Sequence, residues 1–378
     1  MRNIAFLLRY FPSWGGGETV TITLANEMVK RDYNVYILYF THYEKGAPPF
    51  IDNRIHRVKL LCSGVEDKLL PDECSAVIAH NKIEYVVNQW WPANVAYESC
   101  KDTGAKLIKC WHMPTYSRRK LDWRISGDWL KMCLLPVYRV YERNRQIKEL
   151  DEYLKSSDRL VFLSEAFRIQ YESMTKLHVA DKCCVIPNPI ADSDATPVME
   201  KKKCVIVVAR MDEQHKKLSR VLKTWKRIQN NNEFHDWNIK LVGDGPDLER
   251  YKAYAKKKNI RNISFEGFQN PVAYYREASI FLMTSSKEGF GMTLVEALKY
   301  GTIPIVMDTF LALHDIITDG VNGFITPDAD IDAFTKRLEW VMSNEDVRRK
   351  MMPVCLKSIK KFSVKDIVDK WDCMLENL

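Results

Sequence analysis

The chain alternates short apolar runs with amphipathic segments, and this alternation starts near residue 3 and starts again near residue 204. Residues 3–8 predict a buried strand, 19–31 an amphipathic helix and 34–40 a second strand, with a Pro/Gly loop at 9–18. Further strands are predicted at 57–61, 83–88, 106–111, 159–163 and 183–186. This succession predicts a parallel sheet whose ligands bind at the carboxyl ends of the strands.

Residues 187–203 are rich in Pro, Asp, Ser and Lys and have the composition of a linker. After them, strands are predicted at 204–209, 239–242, 263–265, 280–283 and 303–306, and helices at 218–229 and 247–258. A chain of 378 residues is also long for one hydrophobic core. We therefore expect two Rossmann-like α/β domains, at 1–190 and 204–362.

Two glutamates with seven residues between them, Glu288 and Glu296, lie between the predicted strands 280–283 and 303–306. The flanking pattern places Glu288 on a Gly-rich loop and Glu296 about one turn into a short helix, so both carboxylates are expected to face one crevice. Amide groups at a helix start attract phosphate, whereas carboxylates suit vicinal sugar hydroxyls. A ligand with a sugar, a diphosphate and a ribose meets both demands. The alternative is a helix-starting loop with two solvated acids.

This segment resembles the donor motif of retaining glycosyltransferase family 4, whose GT-B fold has two Rossmann-like domains facing across a central cleft. The resemblance implies that Glu288 is catalytic and holds hydroxyls of the transferred sugar, while Glu296 holds the ribose. It implies an acceptor-binding first domain, completed by residues 363–378, and a second domain that binds the nucleotide sugar. It also implies donor contacts from the loop and helix start between the two glutamates: Gly289, Phe290, Gly291, Met292 and Thr293.

Basic residues follow the first strand of the second half, with Arg210 ahead of Lys216 and Lys217. A guanidinium and an ammonium at a strand's carboxyl end can hold a diphosphate. These residues resemble the family's Arg and Lys pair, so Arg210 and Lys216 are predicted to bind the donor and to stabilise the departing diphosphate. Lys217 leaves the assignment between the two lysines open. The alternative is an exposed basic loop.

Glycine turns carry the remaining donor predictions. Gly243 begins a Gly-Asp-Gly-Pro turn that matches the family's G-x-G-P turn, and Phe268 precedes a loop that lies against the nucleobase in relatives. The sequence does not decide whether the nucleotide of the donor is UDP or GDP. Gly16 and Gly17 match a Gly-Gly loop that faces the donor diphosphate in relatives, although a simple flexible turn is an alternative.

Residues near the strand ends of the first half are predicted to lie on the acceptor side: Glu18, Asn88, Trp90 and Trp91. Aromatic faces stack on sugars, but buried core is an equal alternative for the last three. His112 follows the apolar run 107–111. A lone histidine is more often structural, but the position of His112 resembles that of the family's histidine close to the transferred sugar, so we predict that it is catalytic.

The net charge of +8 is concentrated in one segment. Residues 106–148 contain eleven Lys or Arg and three Asp or Glu, interleaved with six Trp or Tyr. This mixture suits an anionic membrane surface or a lipid pyrophosphate. Single-stranded nucleic acid and a solvated helix with core aromatics are the alternatives, and no nucleic-acid partner is expected.

Several classes are disfavoured. Asp328-Ala329-Asp330 starts a predicted helix and Asp192-Ser193-Asp194 lies in the linker, so neither D-x-D pattern predicts a metal site. Ten cysteines without a C-x2-C pair and a short apolar start indicate reduced thiols in a cytosol rather than secretion. No apolar run approaches the roughly 20 residues of a membrane span. Neither half has G-x-G-x-x-G after its first strand, which disfavours a dehydrogenase.

The sequence leads us to expect a cytoplasmic glycosyltransferase, with an anionic inner membrane face as a candidate peripheral partner. By the resemblance it retains anomeric configuration and needs no cofactor or metal. It moves a sugar from a nucleoside-diphosphate sugar to a saccharide or polyprenyl-linked acceptor in bacterial surface polysaccharide or glycan biosynthesis. The alternatives are a nucleotide-sugar hydrolase or epimerase, which turns over without an acceptor, and a non-catalytic nucleotide-sugar-binding module.

Overall fold

The computed structural model describes residues 2–12, 15–42, 50–112, 135–175, 181–191 and 200–378. The chain divides into two compact units by its internal contacts, one made of Met1–Ala191 and Val364–Leu378 and the other of Asp192–Ser363. Within the described residues each unit contains one parallel sheet, with seven strands in the first and six in the second. The predicted class, α/β with two Rossmann-like domains, is confirmed.

The first unit is a parallel sheet in the order β3-β2-β1-β4-β5-β6-β7. Its strands are β1 (Arg2–Leu7), β2 (Tyr33–Tyr39), β3 (His56–Lys59), β4 (Tyr85–Asn88), β5 (Lys106–Trp111), β6 (Arg159–Phe162) and β7 (Cys183–Val185). Its helices are α1 (Gly16–Lys30), α2 (Leu70–His80), α3 (Ala93–Cys100), α4 (Leu135–Ser156), α5 (Glu165–Thr175) and the C-terminal helix Val364–Glu376. The order reverses between β1 and β4, which is where ligands bind in open sheets of this kind.

Hydrophobic burial explains why the central strands form. The last four residues of β1 are buried in succession, because a parallel sheet is covered on both faces. The C-terminal helix is tied to this unit by polar contacts at the end of α1. Arg31 contacts Asp369 at 2.5 Å and Asp372 at 2.7 Å, and the Tyr33 hydroxyl donates to Asp372 at 2.6 Å.

The second unit repeats this plan in the order β10-β9-β8-β11-β12-β13. Its strands are β8 (Lys202–Val208), β9 (Asn238–Val242), β10 (Ile263–Gly267), β11 (Ala278–Met283), β12 (Ile303–Met307) and β13 (Phe324–Thr326). Its α-helices are α6 (Leu218–Ile228), α7 (Leu248–Lys257), α8 (Val272–Glu277), α9 (Met292–Lys299), α10 (Leu313–Ile316), α11 (Ile331–Ser343) and α12 (Glu345–Ser358). The order reverses between β8 and β11, so the loops after these two strands meet at the expected ligand-binding edge.

None of the described helices combines the length and the apolar character that crossing a bilayer requires.

Candidate functional site

Two loops of the second unit, 209–217 after β8 and 284–291 after β11, are joined at the reversal point of the sheet. The backbone N–H of Ser286 donates to His215 O at 2.7 Å, and the Thr284 hydroxyl donates to Lys216 O at 3.2 Å. Across this junction Lys216 Nζ donates to Glu288 Oε1 at 2.6 Å. The structure therefore brings together two of the residues that the sequence predicted as catalytic.

The surroundings of this ion pair are only partly open to solvent. The side chain of Lys216 is 23% exposed and that of Glu288 is 11% exposed. Its neighbour Lys217 instead caps α6 in a left-handed conformation, with φ of 53°, and its carbonyl oxygen accepts from Thr284. The backbone thus directs Lys216, rather than Lys217, to Glu288.

The turn that begins at Gly243 supports the loop that carries Arg210. Gly243 has φ of 140°, and a Cβ atom there would lie 2.0 Å from the carbonyl oxygen of Ala209. The backbone N–H of Met211 donates to Asp244 O at 3.0 Å, which joins the two segments. Arg210 itself is exposed, and its guanidinium makes no hydrogen bond or ion pair within the described part of the chain. It is available for an anionic ligand.

Glu296 lies about one turn into α9 and has a different environment from Glu288. The Tyr275 hydroxyl donates to Glu296 Oε2 at 2.9 Å, and the buried Tyr275 ring stacks on Tyr300. Burial raises the pKa of Glu296 to about 7, and the bond from Tyr275 opposes this rise. Glu288 is therefore held by the ammonium group of Lys216, and Glu296 by the hydroxyl of Tyr275. The expectation that both face one crevice stays a prediction.

The residues between the two glutamates shape the loop. Phe290 is 3% exposed and its ring meets Phe362 edge-on. Gly291 begins α9 with φ of 86°, which favours glycine, and the ring of Phe310 lies 3.2 Å from where its Cβ would be. Gly289, Met292 and Thr293 keep partial exposure, and Phe268 is exposed after β10.

The glycine segment of the first unit differs from its prediction. Residues 16–18 were expected in a loop, but they form the first turn of α1, in which Thr19 N donates to Gly15 O at 2.9 Å. A Cβ atom on Gly17 would lie 2.8 Å from the Trp90 ring, whereas Gly16 faces open space. Burial raises the pKa of Glu18, whose carboxyl group folds back over Gly15.

His112 lies at the end of β5 and is held by residues that follow β4. Its Nε2 atom contacts Gln89 Oε1, and its ring stacks on Trp90 with centroids 4.6 Å apart. Burial and the nearby Lys109 lower the pKa of His112 to about 3, and the residue as a whole is only partly exposed. The sequence analysis missed Gln89 and Lys109. For Gln89, the available signal was a polar residue directly after a buried strand.

Asn88 and Trp91 are core residues, so the prediction that they line an acceptor pocket is wrong. They are 1% and 0% exposed. Asn88 exchanges two hydrogen bonds with the backbone of Trp91, at 3.0 and 2.8 Å, and the Trp91 indole donates to Leu8 O. Their polar groups are satisfied within the protein. Trp90, by contrast, is 37% exposed.

The acidic patterns of the second half have structural roles. Asp328 pairs with Arg220 at 3.0 Å, and Asp330 caps α11 by accepting from Ala333 N at 2.9 Å. In the described ranges no group of three or more His, Cys, Asp or Glu side chains is placed to hold a metal ion. The pattern at 192–194 and the basic, aromatic stretch 113–134 lie outside the described residues.

Comparison with known proteins matches each half of the chain to a glycosyltransferase family model. Residues 14–194 match the family model "Glycosyltransferase Family 4" and residues 190–353 match "Glycosyl transferases group 1". An uncharacterized glycosyltransferase of Haemophilus influenzae is 23% identical over 99% of this chain and 100% of its own length. The lipopolysaccharide 1,6-galactosyltransferase of Escherichia coli is 31% identical over 56% of this chain and 60% of its own length.

Solved structures show the same fold. Anabaena HepE in complex with UDP-glucose superposes with a TM-score of 0.75 at 13% identity, and the match covers 100% of both chains. The two family models together span residues 14–353, and each covers one of the two parallel-sheet units described above. The chain is a glycosyltransferase of the GT-B fold, and its two halves are similar to glycosyltransferase family 4 and to glycosyl transferases group 1.

Proposed function

We propose that this glycosyltransferase is a retaining, metal-independent enzyme that transfers a hexosyl group from UDP- or GDP-sugar to a saccharide or polyprenyl-linked saccharide. The pathway we propose is the synthesis of bacterial surface polysaccharide or another glycan. The observation that carries the proposal is the ion pair between Lys216 and Glu288, which joins the loops after β8 and β11. This junction lies at the edge of the sheet where open α/β sheets bind their ligands.

Arg210 and Lys216 supply the positive charge for the leaving group. As the bond between the anomeric carbon and the diphosphate breaks, its electron pair goes to the phosphate oxygen, and each charge-assisted hydrogen bond there contributes roughly 1.5–3 kcal/mol. Because Lys216 already has a fixed partner, little reorganisation is needed during the reaction. Glu288 orients Lys216 and accepts hydrogen bonds from hydroxyls of the sugar.

The acceptor hydroxyl attacks the same face of the sugar that the diphosphate leaves. Its oxygen forms the new bond to the anomeric carbon, and its proton passes to the departing phosphate oxygen, so the configuration is retained. In this scheme Glu296 accepts hydrogen bonds from the ribose. His112 contacts the transferred sugar, and Trp90 and Glu18 lie on the acceptor side.

A screen of nucleotide sugars by thermal shift, followed by assays of nucleotide release with lipid and saccharide acceptors, tests this proposal. We expect one donor to stabilise the protein, release to require an acceptor, and the product to keep the donor's anomeric configuration by NMR. Release without an acceptor would instead support a hydrolase. Binding with no turnover of any acceptor would support a non-catalytic module.

Peripheral contact with an anionic membrane is part of the proposal. Helix α4 exposes Val137, Val140 and Tyr141 on one face and carries the exposed bases Arg143 and Arg145. Such a helix fits the surface of an anionic bilayer, where each base contributes about 1 kcal/mol. We expect the double variant Arg143→Glu, Arg145→Glu to lose sedimentation with anionic liposomes and to keep its transfer rate to a soluble acceptor. Absence of wild-type binding at low salt would contradict this membrane contact.

A further inference from the structure

The imidazole of His112 is enclosed by groups that set its protonation. Gln89 Oε1 contacts its Nε2 atom, and the Trp90 ring covers one face. Trp90 is itself positioned by Arg9, whose Nη2 donates to Trp90 O at 3.3 Å, and by the absence of a side chain on Gly17. A carboxamide oxygen can only accept a hydrogen bond, so this contact is a hydrogen bond when Nε2 of the histidine carries the proton.

A buried lysine, Lys109, contacts the backbone of Gln89. Lys109 is 5% exposed, its Nζ donates to Gln89 O at 3.3 Å, and it lies 4.4 Å from the centre of the Tyr153 ring. Burial lowers the pKa of Lys109 to about 8, so the group is mostly charged at neutral pH. Within the described residues Lys109 has no carboxylate in contact, and burying a cation without such a partner is costly.

Other charged and titratable groups lie near Lys109. Arg9, after β1, adds a second positive charge near Lys109, and Glu149 of α4 adds a negative one. Cys110 stays a neutral thiol, because burial raises its pKa to about 12. The cation of Lys109 is the charge that acts on His112.

We propose that Gln89 and Lys109 are positioning residues that hold His112 as a neutral imidazole protonated on Nε2, which leaves Nδ1 free to accept a hydrogen bond from a substrate hydroxyl. The inference rests on the proposed contact between His112 and the transferred sugar. In this state the histidine is a hydrogen-bond acceptor and not a general acid. It keeps that state in mildly acidic solution, because burial disfavours the imidazolium and protonation would also place a second cation beside Lys109.

The side from which a sugar reaches the ring is restricted. A cavity of about 10 Å³ lies between His112, Gln89 and Asn188. This volume is comparable to that occupied by a single water molecule, so the cavity cannot hold a sugar. A sugar would therefore have to reach the ring from outside this cavity.

The state of His112 is measurable in the full chain. Protein labelled with 15N-histidine gives ring nitrogen signals that distinguish the two neutral tautomers from imidazolium, and the His112→Asn variant assigns the signal. We expect the Nε2–H tautomer without titration between about pH 5 and pH 8. An Nδ1–H tautomer, or titration of His112 within that range, would overturn the inference.

Two variants separate the positioning role from simple packing. Gln89→Glu places a carboxylate against Nε2, and we expect the pKa of His112 to rise by about one unit or more. Turnover at the acidic end of the profile should fall relative to wild type, with a smaller change in KM for the donor. A Gln89→Glu protein whose His112 signal and pH profile match wild type would contradict the role of Gln89.

Lys109→Met removes the buried cation and keeps a chain of similar length. We expect the pKa of His112 to rise, whereas the control Lys106→Met, on the same strand but exposed and paired with Asp158, should leave the His112 signal unchanged. An unchanged signal in folded Lys109→Met would refute the role of Lys109. If the tautomer is as expected but His112→Asn transfers sugar at the wild-type rate, the proposed function of His112 fails and its assigned state stands.

Discussion

Lys216 in the second unit and Lys109 in the first each lie beside a residue predicted to be catalytic, but their environments have opposite consequences. Lys216 meets the carboxylate of Glu288 at 2.6 Å and keeps part of its surface in solvent. Lys109 is buried against a carbonyl oxygen and an aromatic ring. The first cation is balanced and can be shared with an anionic ligand. The second is unbalanced, and it disfavours a positive charge on His112.

This difference matches the charges that the two sites are proposed to meet. A leaving diphosphate gains negative charge during the reaction, so a pre-positioned cation stabilises it. A sugar hydroxyl stays neutral, and a neutral acceptor atom suits it better than an imidazolium. The same residue type thus supports opposite electrostatic roles, because burial and the available partner decide what its charge does.

The largest expected effect is at Glu288. Glu288→Gln removes the negative charge that holds Lys216 and weakens two proposed hydroxyl contacts, so we expect turnover to fall by about 100-fold or more at saturating donor. The matched control is Asp236→Asn, which breaks an ion pair of the same 2.6 Å length with Lys203 in the same unit. That control should stay within about twofold of wild type. Near-wild-type turnover of folded Glu288→Gln would remove Glu288 from the mechanism.

The second effect is a pH dependence that sets Glu296 apart from Glu288. Burial raises the pKa of Glu296 to about 7, and the proposed ribose contact needs the ionised form. Affinity for UDP or GDP should therefore be low at pH 6 and should rise by about tenfold by pH 8, as the carboxyl group loses its proton. Calorimetric titration at constant ionic strength measures this.

Two variants isolate the contribution of Glu296. Glu296→Gln should abolish this rise in affinity between pH 6 and pH 8 and leave only the effect of titrating the diphosphate itself. Tyr275→Phe removes the hydroxyl that favours the carboxylate, so the midpoint should move to higher pH. If wild type and Glu296→Gln show the same pH dependence, the ribose assignment is wrong.

The sequence predicted the positions of strands and helices better than it predicted which side chains contact each other. The strands follow from apolar periodicity, which is local, but β13 spans three residues and has too few positions to show a pattern. The start of α1 was missed because glycine is a weak helix former, whereas the space that Gly17 leaves is filled by Trp90 from a distant strand end. Asn88 and Trp91 were left undecided because burial depends on the whole fold.

The residues that set protonation could not be found from spacing alone. Gln89 lies 20 residues from Lys109 and 23 from His112, and Tyr275 lies 21 residues from Glu296. These pairs meet because parallel strands and their crossover helices bring distant segments to one edge of a sheet. Lys216, and not Lys217, contacts Glu288, because Lys217 adopts a left-handed backbone conformation at the start of α6.

A smaller effect tests the first unit through its two adjacent glycines. Gly17→Ala should push Trp90 away from His112, because its Cβ would lie 2.8 Å from the ring, whereas Gly16→Ala meets nothing within 4 Å. The His112 ring signals should therefore shift in Gly17→Ala and stay in place in Gly16→Ala. Both substitutions gain up to about 1 kcal/mol from reduced chain entropy, so Gly17→Ala should be the less stable of the two in thermal unfolding. Equal stability and equal spectra would contradict the contact with Trp90.

The smallest expected effect is that of metal removal, and it tests whether lysine and arginine replace a cation at the diphosphate. Asp328 is paired with Arg220 and Asp330 caps a helix, so neither carboxylate is placed for a metal. Turnover in excess EDTA should change by less than about twofold. Lys216→Met should lose most turnover, and added Mn2+ or Mg2+ should not restore it, because no group of three or more His, Cys, Asp or Glu side chains in the described residues is placed to hold a metal ion. If wild-type activity is lost in EDTA and recovers on adding either metal, then a metal ion, and not the ammonium group of Lys216, neutralises the leaving group.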